Sequence, residues 1–349
     1  MTTRRGASGR AVGWFGIAGA LIVSLLASAA AASASVRTDA QAAAQLAITK
    51  GYRTGIAVLD LHTRAYTGAG EDTAEFASEL VVKVLIAAEL LATGQMHDDV
   101  ETTAYRMITR SDDTAATALY GLAGGGEVLD RVASRYNISF LGSPPSEPWW
   151  WGNTKITAKG IGYLYAEIAR DPKVGPWLED AMAHTAPYGA DGRYQFFGIP
   201  SATNHAAVKQ GWGKDGADAP NAVFNTTGYV DHYRYAVAIL TDGPPSIYGD
   251  EISDVIIAQA KRLMPHGHFA VAVRPRAPHP VSSGAGDHAA TGASSGPAVP
   301  EGNSPVADAA RPGGHRTISP LALLSIEAGA LVLVALIVLR RRRSWLKRV

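Results

Sequence analysis

Pro320 to Leu339 is an apolar run of 20 residues with one charge, Glu327. At about 1.5 Å per residue, a helix of that length crosses roughly the 30 Å hydrocarbon core of a bilayer. Arg340, Arg341, Arg342 and Arg343 follow directly. The positive-inside rule puts them, with the rest of residues 340–349, in the cytoplasm. The other end carries a second membrane signal. Arg4, Arg5 and Arg10 precede an apolar stretch from Ala11 to Ala27, and small residues follow from Ser28 to Ser35. Ala32-Ser33-Ala34 fits a cleavage site, so residues 1–35 read as a signal peptide, with an uncleaved anchor helix as the alternative. The expectation is a single-pass protein of the cell membrane with an extracellular ectodomain and a cytoplasmic C-terminus. Glu327 is either a contact with a membrane-protein partner or a tolerated acid in the outer half of the span.

What lies between must fold outside the membrane, and it must do so without disulfides, because the chain has no cysteine. The same absence excludes thiol catalysis. Residues 266–319 are rich in Pro, Gly, Ala and Ser without apolar periodicity and read as a disordered linker. The folded domain is then about 39–265. Setting aside the nine basic residues at the two ends and Glu327 leaves 23 basic and 30 acidic residues, a net charge of −7. An acidic ectodomain argues against nucleic acid as a partner.

Within the domain, Asp39–Thr49 reads as an Ala-rich helix and Gly55–Leu61 as an apolar strand running into a turn at His62-Thr63. Leu80–Leu91 is a helix apolar on every side, expected to be buried all round. Further helices are expected near Asp113–Leu122, Gly125–Tyr136 and Ala158–Ala169. Three antiparallel strands follow at Ala207–Gln210, Ala222–Tyr229 and Tyr233–Thr241, and a last helix at Ile252–Leu263. This order implies an α+β fold: one antiparallel sheet built from both ends of the domain, flanked by helices, with a helical lobe inserted.

Three segments carry possible chemistry. They are Phe76-Ala-Ser78-Glu-Leu80-Val-Val-Lys83-Val-Leu, Ser111-Asp112-Asp113-Thr-Ala-Ala, and Lys209-Gln210-Gly211. Their order and setting resemble the penicillin-recognising serine hydrolases, the class A β-lactamases and D-alanyl-D-alanine peptidases. That family has Ser-x-x-Lys at the start of a central helix, Ser-Asp-Asn on a lobe loop and Lys-Thr-Gly on an inner strand. The resemblance covers nearly all of 39–265 and implies a β-lactamase/transpeptidase-like fold. It maps catalytic positions onto Lys83, Ser111, Asp113 and Lys209, and ligand-binding positions onto Gln210 and Gly211.

The departures matter more than the matches. Leu80 stands where the family has its nucleophile. Serine and lysine three apart on a helix lie about 60° apart around the axis, so the amine can take the hydroxyl proton. Leucine has neither proton nor lone pair, so acylation at this position cannot occur. Ser78 is the alternative nucleophile, but it lies about 140° from Lys83 on a continuous helix; a helix N-cap is its simpler use. Asp113 replaces an amide donor by a carboxylate that only accepts. Ser111 or Asp113 could equally cap the helix that follows. Gln210 replaces a small hydroxyl residue. Glu147 is the only acid between Asn137 and Lys155 and lacks the Glu-x-x-Leu-Asn setting of a deacylating glutamate. Trp149–Trp151 reads as a lid or cleft wall, or as core packing for at least two of the rings.

No cofactor is implied and no metal ligand set is assigned; His266 and His268 fall at the linker boundary, where metal binding is the weaker reading. The expected function is that of a catalytically impaired, β-lactamase-like domain that binds or scaffolds at the cell envelope. A cell-wall peptide or β-lactam-like molecule is the expected ligand. A weakly active serine hydrolase using Ser78 or another hydroxyl is the alternative.

Overall fold

The computed structural model describes residues 34–214 and 221–269. Most of the expected signal peptide, most of the linker, the transmembrane helix and the basic tail lie outside these; Ala34 and Ser35, the last residues assigned to the leader, already belong to the first helix. Among the described residues no helix is long and apolar enough to cross a membrane.

A helix over residues 34–48 (α1) leads into β1 (Arg53–Asp60) and β2 (Tyr66–Gly70). The chain then leaves the sheet. A short β3 (Glu75–Ala77) and a 3-10 turn at Glu79–Val81 run into α2 (Val82–Ala92). The lobe continues through α3 (Asp98–Thr109), α4 (Asp113–Tyr120) and α5 (Val128–Tyr136). Next, β4 (Lys155–Thr157) pairs with β3, and α6 (Ala158–Ile168), α7 (Gly175–Ala183) and the short α8 (Ile199–Ala202) follow. The chain returns as β5 (Ala206–Gly213), β6 (Ala222–Val230) and β7 (Tyr235–Gly243), and closes with α9 (Asp250–Leu263).

The five main strands form one antiparallel sheet in the order β2-β1-β7-β6-β5. β7 lies beside β1 in a register from Arg53 opposite Asp242 to Asp60 opposite Tyr235, so the two ends of the domain do build one sheet. Apart from the edge strand β2, the strands are buried on both faces. Ile56, Val58, Val237 and Ile239 point to the layer of α1 and α9, with Val36, Ala40, Ile252 and Ile256. Their neighbours Ala57, Leu59, Ala238 and Leu240 point to the layer of α2 and α6, with Leu85, Ile161 and Tyr165. Alternation of side chains across a strand makes this division automatic, and explains why these strands read as continuous apolar runs. α2 is the hub of the lobe: every residue from Val82 to Leu90 is buried. Folded contacts also continue past Pro265. Phe269 is buried, with its ring 4.6 Å from that of Tyr235 and its backbone N–H donating to Asp231.

Candidate functional site

The three motif segments meet where the start of α2, the start of α4 and β5 converge. Lys83, in the first turn of α2, is completely buried. Its ammonium donates to the Ser111 carbonyl oxygen and to Asp113 Oδ1, each at 2.6 Å. Lys209, on β5, is also buried; it donates to Ser111 Oγ and to the Gln210 carbonyl. Ser111 therefore joins the two lysines, one through its backbone and one through its side chain. It does so from a left-handed conformation, φ 50°, which turns its carbonyl and hydroxyl toward different partners. Its own hydroxyl proton goes to Gln195 Oε1 at 2.7 Å. The Gln195 amide in turn donates to the carbonyls of Thr109 and Ala186.

Burial drives the electrostatics. It pushes the Lys83 amine down to about 8, against the attraction of Asp113. Burial, aided by the charge of Lys83, carries Lys209 well below the usual lysine range. Glu79 moves the other way. Burial and the nearby Asp113 carboxylate raise it to about 7, opposed by Lys155 and Lys83. Glu79 sits in the 3-10 turn at φ 48°. A side chain at Gly213 would strike its carboxylate, so glycine there leaves the room that Glu79 occupies.

Leu80 lies in the 3-10 turn that leads into α2, three residues before Lys83. It is buried in an apolar cluster with Trp212, against which Trp151 packs. Trp151 also covers Lys83, its ring centre 5.0 Å from the ammonium, and its indole N–H donates to Thr117. Leu80 and Trp151 thus put apolar surface at the start of α2, and Trp151 lays its ring over the Lys83 ammonium.

Several expectations are corrected. Ser78 is buried and makes no side-chain cap. Its hydroxyl donates to the Gly152 carbonyl at 3.3 Å, and both hydrogen bonds of Lys83 go elsewhere. Ser78 is neither helix cap nor paired nucleophile; it ties the 3-10 turn to the segment before β4. The cap of α4 is Asp112, whose carboxylate accepts from Ala115 N, so neither Ser111 nor Asp113 has that role. Gln210 does not face a ligand. It is fully buried, donates to the carbonyls of Gln195 and Phe197, and accepts from Thr226. Gly211 is close to the chain's own backbone: a Cβ there would lie 2.7 Å from the Ser78 carbonyl oxygen. The tryptophans divide, since Trp149 and Trp150 are exposed and only Trp151 is partly buried; core packing for two rings does not hold.

Trp151 covers Lys83, which fits the reading of 149–151 as a cleft wall for this one ring; Glu79 and Gln195 were not legible as site residues. Glu79 occupies a spacer position in the first motif, where no residue type is specified. Gln195 lies 84 residues from the serine it meets.

No family model matches the chain. It is 30% identical over 250 residues to "Putative lipoprotein LppW" of Mycobacterium tuberculosis and to the same protein of Mycobacterium bovis, covering 66% of this chain and 76% of theirs. Among solved structures it is similar to a β-lactamase from Chitinophaga pinensis, with a TM-score of 0.52, 15% identity, and 65% of this chain and 97% of that one covered. PBP-A gives a TM-score of 0.50 at 20% identity, over 65% and 94% of the two chains. A class A β-lactamase from Mycobacterium abscessus gives 0.51 at 16%, over 65% and 98%. The chain belongs to the family of the mycobacterial LppW proteins and has the fold of the penicillin-recognising serine hydrolases.

Proposed function

We propose that this chain is an extracytoplasmic β-lactamase-type domain that has given up acyl transfer and holds an envelope peptide non-covalently. The observation that carries this is Leu80, buried three residues before Lys83. A carbon side chain cannot attack a carbonyl, and the lysine that would serve as base is held by Asp113 and the Ser111 carbonyl. Binding without turnover is then what the cleft has left. The exposed Trp149 and Trp150 and the exposed face of Asp113 are available to a ligand.

Location follows from chemistry too. The mycobacterial relatives carry the name lipoprotein. This chain has no cysteine thiol to carry a thioether-linked lipid. Its apolar run at 320–339 supplies a different anchor, a single span with the domain outside.

The test is a fluorescent penicillin. The purified ectodomain should show no adduct that survives denaturation, while calorimetry with D-alanyl muropeptides should show reversible binding. A covalent adduct would overturn the proposal. One observation favours a second reading, a weak hydrolase: Lys209 Nζ contacts Ser111 Oγ, and attack by Ser111 would need that amine neutral and the hydroxyl proton turned to it from Gln195. An adduct mapped to Ser111 by peptide mass would support it.

A further inference from the structure

Away from the motif cleft, a concave pocket of about 610 Å³ opens at the end of the sheet where the chain leaves the domain. Four of its lining residues are histidines from three separate segments: His205 before β5, His232 in the β6–β7 turn, and His266 and His268 after α9. The domain holds only three other histidines among the described residues, His62, His97 and His184. All four in the pocket are exposed, so their burial in a core does not account for them.

The geometry is specific. The rings of His205 and His232 lie 4.9 Å apart, centre to centre. Two imidazoles sharing a tetrahedral zinc ion, at about 2.0–2.1 Å per metal–nitrogen bond, have centres about 5 Å apart. Among the described residues neither ring has a hydrogen-bond or ion-pair partner. His232 is presented by three consecutive left-handed residues, Asp231, His232 and Tyr233, with φ of 52°, 55° and 63°. Such a run is costly for residues other than glycine, and strain of this kind gathers at functional positions. The Asp231 carboxylate accepts the backbone N–H of Phe269, which folds the chain exit back over the turn. In that exit His268 Nδ1 lies 2.9 Å from the His266 carbonyl oxygen. A carbonyl only accepts, so Nδ1 carries the proton and Nε2 keeps its lone pair. A backbone carbonyl holding one ring nitrogen is the usual way a metal-binding imidazole is oriented.

We infer that this pocket binds a divalent transition-metal ion of the zinc class, held first by His205 and His232 and completed by His268 from the chain exit. Among the described residues no three His, Asp or Glu side chains already form a metal-holding group. Completion therefore requires the 266–268 segment to move toward the β6–β7 turn. Binding would pin the start of the tether to the sheet and fix the direction in which the chain departs. Imidazole donors favour zinc, nickel and copper over magnesium, which takes oxygen ligands.

The test is a zinc titration of the detergent-solubilised full chain against a chromophoric chelator, with magnesium as control. One saturable equivalent of zinc is expected, with no magnesium uptake and a zinc-dependent rise in Tm. His205→Gln with His232→Gln should weaken zinc by more than about tenfold and abolish the Tm rise; His268→Gln should weaken it by a smaller factor. His62→Gln should leave it unchanged. Metal-free melts establish that each variant folds. Zinc affinity unaltered in the double variant, or no uptake beyond that of magnesium, overturns the inference.

Discussion

In the proposed reading, Asp113 and Leu80 bear on acyl transfer through different physics. Leu80 removes the attacking atom; Asp113 lies 2.6 Å from the Lys83 ammonium and favours its charged form. Lys83 is nonetheless held at about 8 by burial. Removing the Asp113 charge should lower it further and free more neutral amine at pH 7. Leu80→Ser alone should therefore label slowly with a fluorescent penicillin. Leu80→Ser with Asp113→Asn should label about fivefold faster, since moving the amine from about 8 down by about one unit raises its neutral fraction at pH 7 from roughly a tenth to roughly a half. Equal rates in the two variants would show that Asp113 is not what restrains the lysine.

Glu79 gives a pH signature. Its folded-state pKa of about 7 lies above the ordinary value of 4.5. Between those values the folded state holds the proton more tightly than the unfolded chain. This contribution to stability is thus greatest at acidic pH and declines as pH rises from 4.5 to 7. Glu79→Gln should flatten that segment of the Tm-against-pH curve, measured by calorimetry from pH 4.5 to 8. A wild-type slope retained in the variant would assign the effect to other groups.

Among the elements, α6 shows how a cap and a lobe contact are shared by one side chain. Thr157 Oγ1 accepts from Gly160 N at 2.8 Å and donates to the Phe140 carbonyl at 2.8 Å. Thr157→Ala removes both and should cost about 1–2 kcal/mol in urea denaturation, with the m-value unchanged. The long apolar helix, the three return strands and the closing helix were legible because each buries a periodic or continuous apolar set. α3 and α7 were missed: α3 opens on Asp98, Asp99 and Glu101, and only Ala104, Met107, Ile108 and Thr109 are buried. A narrow apolar face on a charged segment is a weak signal in sequence. β2 was not given as a strand, because three of its five residues are glycine or threonine, Tyr66-Thr-Gly-Ala-Gly, which leaves no apolar alternation to read.

For the whole molecule, the prediction concerns anchorage. A chain ending at Pro278 keeps every described residue of the domain but loses the apolar run at 320–339. It should pass from the membrane fraction to the soluble fraction of the same cells, with the Tm of the ectodomain unchanged. Retention in the membrane would point to an uncleaved leader as the anchor. The two apolar runs, 11–27 and 320–339, lie outside the described residues and bracket the domain in sequence. The sheet joins the domain's own two ends through β1 and β7.

Sequence alone determined the α+β class and that position 80 carries a leucine, which has no hydroxyl. These depend on apolar periodicity and on which atoms a side chain possesses, and both are local properties. Only the tertiary structure decided what the surviving polar residues do. Ser111 joins Lys83 to Lys209, Gln210 faces inward onto the 195–197 segment, and Ser78 turns away from Lys83. The structure also brought His205, His232 and His268 to one pocket. Such roles depend on which segments meet across the fold, and a buried polar group binds whichever partner packing places within about 3 Å.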